Sequence, residues 1–224
     1  MKTKFKIFVG LDEPHLEAYE TCKYSILENN NRYDISVHPI NYNTIKQYNR
    51  IKDKFESTQF AFARFFVPHE CRYKGQSVFV DGDFLFLESI DSLLDLYDSQ
   101  YPVMCCKHNY TPNSSLKMDG KLQSIYPRKN WSSLMIFNNS HPDVAKLTPE
   151  RVNQESGKYL HRFKWANKIG SIPVDWNWLV GYYKETFNFK PKALHYTDGG
   201  PWLSGFANCE YHEEWIRQLK EPHE

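Results

Sequence analysis

The tightest constraint on this chain is an interruption. The apolar run Val78-Phe79-Val80 ends in Asp81-Gly82-Asp83, and apolar sequence resumes at once with Phe84, Leu85, Phe86 and Leu87. So apolar a run reads as an interior strand, and the fold must bring two carboxylates to its end. In extended backbone, residues two apart point to the same side, so Asp81 and Asp83 converge on one point. Facing carboxylates repel unless a cation lies between them or one takes a proton. Gly82 between them lets a bulky group approach the backbone closely. Two readings fit these residues: a solvent-exposed Asp-Gly turn, and a site for a hard divalent metal. A calcium EF-hand loop does not fit, because Leu85 and Phe86 fall where it needs a ligand and a glycine.

The 224 residues, 41% of them hydrophobic, suit one domain with a sizeable core. A net charge of +1 gives no global field that favours nucleic acid or an anionic membrane. No apolar run approaches the ~20 residues that span a bilayer. The apolar part of the opening MKTKFKIFVGLDEPH is too short for a secretion signal. Five cysteines, odd in number and without a C-x-x-C pair, read as free thiols, and the expected location is the cytoplasm. No His and Cys spacing supports a structural zinc site.

Along the chain, strands are expected at Lys4–Gly10, in YDISVHPI and in QSVFV. Further strands are expected in YPVMCC, SLMIFN and Lys192–Thr197. Helical spacing marks Pro14–Asn29, with Leu16, Tyr19, Cys22, Ile26 and Leu27 near one face. STQFAFARFFVPH reads as a helix ending before Pro68, with Ser57 or Thr58 as its cap. Shorter helices are expected in SIDSLLDLY, TPERVNQESG and CEYHEEWIRQLKE, and an Asp-Gly hairpin turn at Met118–Lys121. Strand and helix alternate in the first half, which predicts an α/β fold with a mixed, mostly parallel central sheet flanked by helices. The Asp81-Gly82-Asp83 segment then stands at the carboxyl end of a strand, where open α/β sheets bind ligands.

The stretch SVFVDGDFLFLESIDSLLDL resembles the D-x-D segment of GT-A glycosyltransferases. It is most similar to family 8, the glycogenin-like and lipooligosaccharide galactosyltransferase-like enzymes. TQFAFARFFVP resembles that family's helix bearing a donor-facing basic residue, here Arg64; without the resemblance, Arg64 is equally a surface arginine. LHYTDGGPWL resembles the family's H-x-x-G-x-x-K-P-W segment. It is one residue shorter, and Gly200 stands where the family has lysine. The resemblance makes His195 a third metal ligand with Asp81 and Asp83, and lets Gly199 and Gly200 approach a phosphate. IPVDWNWLVGYY resembles D-Q-D-x-L-N, with Asp175 on the first aspartate and Trp176 in place of glutamine. From the residues alone, His195 is equally a hydrogen-bonded core histidine and Asp175 a helix cap. Ser132-Ser133 takes the place of a small Ala-Gly pair that leaves room for the sugar. IFVGLDEPH resembles the base-binding first strand and loop, which puts Gly10 and Asp12 at a nucleobase; Asp12 alone also reads as a loop aspartate or helix cap. The family's C-terminal membrane-docking extension has little counterpart here.

The resemblance implies a single GT-A domain over 1–224, with 1–106 as the nucleotide-binding half and 107–224 as the acceptor and sugar half. It implies transfer of a sugar from a nucleotide-sugar, most simply a UDP-sugar, to an unidentified glycan, protein or small-molecule acceptor, with retention. Arg64 and Gly82 then serve the donor, and Asp175 positions or polarises the sugar. Imidazole with two carboxylates suits Mn²⁺, with Mg²⁺ as the alternative. Two other functions compete. One is a sugar nucleotidyltransferase, although VGLDEPH lacks the glycine-rich basic loop of that class. The other is a catalytically degenerate module that keeps the fold and binds a nucleotide or glycan.

Overall fold

The structure is a computed structural model and describes residues 2–28, 30–51, 58–109 and 128–220. In chain order the elements are β1 (Lys4–Gly10), α1 (Leu16–Glu28), β2 (Asp34–Ile40), α2 (Val67–Glu70), β3 (Gln76–Val80), β4 (Phe84–Phe86), α3 (Ile90–Leu94) and β5 (Val103–Cys106). The second half adds β6 (Leu134–Asn138), α4 (Pro149–Gln154), α5 (Gly157–His161), β7 (Ile169–Ile172), β8 (Trp178–Leu179), β9 (Ala193–His195) and α6 (His212–Lys220). Short 3-10 turns link them.

The main sheet has six strands in the order β2-β1-β3-β6-β5-β7. β1 pairs in parallel with β2 and β3, and β5 with β7, while β6 lies antiparallel between β3 and β5. This is the mixed α/β sheet expected from the sequence. Its strands are near-continuously apolar because both faces are covered. Phe79, Met135, Phe137, Val103 and Cys105 bury one way, into a core with Phe65, Phe66 and Trp165. Their neighbours Val78, Val80, Leu134, Ile136 and Met104 bury the other way, against Tyr19, Cys22 and Ile26 of α1. A second sheet, β4-β9-β8, follows β3 through the Asp81-Gly82-Asp83 turn and carries a third core around Trp178, Tyr196 and Trp215.

Some local expectations differ. Leu16 and Leu27 lie on the exposed side of α1. The expected helix through Phe66 is instead a 3-10 turn at Ala63–Phe66 followed by α2, and Pro68 sits in the first turn of α2 rather than after its end. A proline needs no N–H there, so it opens the helix instead of closing one. Ser57 and the hairpin turn at Met118–Lys121 lie outside the described residues.

The main sheet and the small sheet meet at the turn between β3 and β4. A Cβ on Gly82 would stand 2.2 Å from the Gly10 carbonyl oxygen, a backbone atom at the end of β1 that cannot swing away. Only glycine lets the two strand ends close on each other. Gly82→Ala is therefore expected to cost about 1–3 kcal/mol of stability through forced backbone displacement. Urea unfolding checks this, and an unchanged midpoint would contradict it.

Candidate metal and donor site

The Asp81-Gly82-Asp83 turn is held at both ends. Asp81 N–H donates to Ser133 O at 2.8 Å, and Asp83 O accepts from Tyr196 N–H at 3.0 Å. The second bond extends the antiparallel ladder of β4 and β9, in which Phe84 faces His195. The Phe84 and His195 rings stack with centroids 4.4 Å apart. Asp81, Asp83 and His195 thus meet, each offering one ligand atom, and these atoms lie within 4.8 Å of one another. His195 Nε2 is 3.4 Å from Asp83 Oδ1, and its side chain is only 2% exposed. Two carboxylates and an imidazole converging on one point fit a divalent cation.

Arg64 reaches the same place. Its Nη1 is 2.8 Å from Asp81 Oδ1 and donates to Ser132 O at 2.9 Å. The guanidinium carbon lies 4.8 Å from the Phe79 ring centre. The arginine is buried, so its charge is already balanced by Asp81. Ser132 Oγ in turn meets His161 Nδ1 at 2.9 Å. Burial, with the charges of Arg64 and Arg50, pushes His161 down to about 3. Cys22 lies under the turn, its Sγ 3.9 Å from Asp81 O. Burial first, then the Asp83 charge, raises its pKa.

A cleft beside the cluster is lined by Gly10, Asp12, Tyr19, Thr58, Asp83 and Trp202 among others. Gly10 has no room for a side chain, since a Cβ would touch the Phe60 ring at 2.7 Å. Asp12 occupies the cap position of the 3-10 turn Glu13–His15 but makes no capping bond. Its Oδ1 accepts from Gln59 N–H at 3.1 Å instead. Thr58 Oγ1 and the Trp202 indole N–H are buried without a hydrogen-bond partner among the described residues. Gly199 takes φ +133°, and its N–H donates to Tyr196 O at 2.8 Å. A Cβ on Gly200 would stand 2.1 Å from the Trp202 ring. In this conformation both glycines shape the loop around Trp202.

Asp175 is placed elsewhere. Its Oδ2 lies 3.1 Å from Lys192 Nζ, three residues upstream of His195, and its Oδ1 is buried without a hydrogen-bond partner among the described residues. It does not join the three-ligand cluster. Trp176 is core, 1% exposed. The residue that does reach His195 is Asn177, whose Oδ1 is 2.9 Å from His195 Nδ1 and whose Nδ2 donates to Ser133 Oγ at 2.8 Å. Sequence reasoning stopped at Asp175 and missed it. The available signal was Asn177 itself, a polar residue between Trp176 and Trp178. Ser132 and Ser133, read as small residues that leave room, are hydrogen-bonded supports of the site.

The fold and this site define a class before any individual relative does. The architecture matches that of GT-A glycosyltransferases. GlyE of Streptococcus pneumoniae TIGR4 superposes with a TM-score of 0.64 at 15% identity, over 98% of this chain and 61% of GlyE. The bifunctional glycosyltransferase WbbM gives 0.64 at 15%, over 99% of this chain and 50% of WbbM. The galactosyltransferase LgtC, in complex with donor and acceptor sugar analogs, gives 0.60 at 12%, over 96% of this chain and 95% of LgtC. This chain therefore spans under two thirds of GlyE and WbbM but nearly all of LgtC. No family model matches the chain. Protein CDI of Arabidopsis thaliana is 42% identical over 228 residues, covering 98% of this chain and 88% of that protein. The chain belongs to the family of Protein CDI.

His161 makes a testable link between pH and the support of Arg64. The folded protein refuses a proton that the unfolded chain accepts below 6.5. Its contribution is fully present above 6.5 and is lost as pH falls toward about 3. We expect stability to fall by about 1 kcal/mol per pH unit from this group below its unfolded pKa. Urea midpoints at about pH 7.5 and about pH 5.5 check this, and His161→Gln should flatten the slope. Equal slopes in the two proteins would contradict it.

Proposed function

We propose that this protein is a metal-dependent glycosyltransferase that moves a sugar from a UDP-sugar to an acceptor, with retention at the anomeric carbon. The observation that carries the reading is the convergence of Asp81, Asp83 and His195 beside the cleft that Asp83 lines. The cation in this reading is Mn²⁺, or Mg²⁺ in its place, held by these three side chains. When bound, it supplies Lewis-acid stabilisation of the departing diphosphate. Arg64 pairs with and orients Asp81, and so acts on the donor through that carboxylate. Gly10 and Gly82 line the cleft for the nucleotide, and Asp12 borders the base, its carboxylate accepting from the Gln59 N–H. Thr58 and Trp202 offer polar atoms that lack protein partners along the same wall. Gly199 and Gly200 set the loop that closes over the diphosphate.

Retention follows a front-face route in this reading. The acceptor hydroxyl oxygen bonds to the anomeric carbon as the bond to the phosphate oxygen breaks, and that oxygen takes the hydroxyl proton. Asp175, paired with Lys192, orients the sugar side of the site and is not the nucleophile. The nucleotide half lies within 1–106 and the acceptor half within 107–224, in one domain. Five unpaired thiols, four of them buried, support a reducing compartment, and we place the protein in the cytoplasm. Among the described residues no helix is long and apolar enough to cross a membrane.

The test is donor cleavage. With Mn²⁺ and a panel of UDP- and GDP-sugars, UDP release is expected from a UDP-sugar and should fall at least about a hundredfold in Asp83→Ala, the scale of losing metal-based charge stabilisation. Pyrophosphate release from a nucleoside triphosphate and a sugar phosphate would instead make the protein a nucleotidyltransferase. UDP binding without turnover on any donor and acceptor would make it a binding module.

A further inference from the structure

A short chain of hydrogen bonds runs behind His195 from Asn130 through Ser133 and Asn177. Ser133 Oγ lies 2.7 Å from the Asn130 carbonyl oxygen, which can only accept. A hydroxyl has one hydrogen, and the Asn130 carbonyl, at 2.7 Å the shorter of the two Ser133 Oγ contacts, is its acceptor. The Asn177 side-chain atom 2.8 Å from Ser133 Oγ must then be the donor, the amide nitrogen. This fixes which way the amide faces, because the chain ends on a backbone oxygen that cannot flip. The amide oxygen is left facing His195 Nδ1 at 2.9 Å. An amide oxygen only accepts, so Nδ1 carries a proton, and in the neutral ring the lone pair then lies on Nε2. Nε2 is the nitrogen that points at Asp83 Oδ1, 3.4 Å away. Ser133, Asn177 and His195 are each no more than 1% exposed, so water does not compete for these bonds.

We propose that Asn177 is a positioning residue that locks His195 in its Nδ1-protonated tautomer, so that Nε2 is presented to the cation before the cation arrives. The proposal rests on the reading of Asp81, Asp83 and His195 as a metal site. Ser133 is the second member of the device, since it sets the orientation of the Asn177 amide.

Two measurements test it and separate it from the metal reading. The first is ¹⁵N NMR of the His195 ring in metal-free protein at about pH 8, where an ordinary histidine is neutral. The pattern of an Nδ1-protonated ring is expected, and an Nε2-protonated ring overturns the proposal. The second is Mn²⁺ affinity by EPR titration. Asn177→Leu should bind Mn²⁺ at least about tenfold more weakly, the lower end of what losing a ligand's outer hydrogen bond costs. Asn177→Asp should stay within about threefold of wild type, because a carboxylate accepts from Nδ1–H equally well. A merely structural role predicts the reverse order, since an extra carboxylate is harder to bury than a leucine. Ser133→Ala, a smaller change less prone to misfold, should weaken Mn²⁺ binding in the same direction. Unchanged affinity in Asn177→Leu overturns the proposal. Wild-type protein that binds no Mn²⁺ but shows the Nδ1-protonated ring refutes the metal reading and leaves the tautomer lock standing.

Discussion

Asp81 and Asp83 would repel each other out of a flexible turn, and much of the surrounding structure acts to prevent that. Asp81 is tied by its backbone to Ser133 and by its side chain to Arg64. Asp83 is tied by its backbone to Tyr196 and faces His195. Gly82 is pressed against Gly10, which closes the third side. The like charges are therefore held together by partners from β1, the turn before β6, β9 with the residue after it, and the segment before α2. Such pre-organisation has a cost, which burial in three apolar cores offsets. A divalent cation would relieve the remaining repulsion, which is the physical ground for the proposed binding site.

The support behind these ligands is polar and dry. Ser132 accepts from Arg64 and meets His161, while Ser133 accepts from Asn177 and Asp81. Two adjacent serines before β6 thus serve the carboxylate side and the imidazole side of one site. In a low-dielectric surrounding, each of these bonds is costly to leave unmade, so the network is stiff. Stiffness suits the proposed function, in which the site meets a diphosphate without first reorganising.

The sheet was legible in the sequence because apolar runs bounded by turn residues are a local signal. β1, β3 and β6 occur where that signal placed them. The two-residue β8 and the three-residue β4 were not legible, since they are fixed by pairing with β9 and not by their own pattern. The same divide runs through the site. Asp81, Asp83 and His195 were found by residue type, spacing and resemblance. Asn177 was missed because its role depends on β8 lying beside β9, which carries the asparagine to the histidine across a gap of eighteen residues. Asp175 attracted attention by the same resemblance, yet the 3-10 turn at Val174–Asn177 sends it toward Lys192. The helical reading around Arg64 failed locally at Pro68, but Arg64 still reaches Asp81, because the 3-10 turn points it under the strand end.

The central claim is that one pre-built site holds a cation and a nucleoside diphosphate together. Thermodynamic linkage makes that claim sharp: if Mn²⁺ strengthens UDP binding, UDP must strengthen Mn²⁺ binding by the same factor. Isothermal titration of UDP with and without Mn²⁺, and of Mn²⁺ with and without UDP, measures both. The account predicts a shared factor of at least about tenfold, or about 1.4 kcal/mol of coupling. UDP affinity that is the same in Mn²⁺ and in chelator would contradict it.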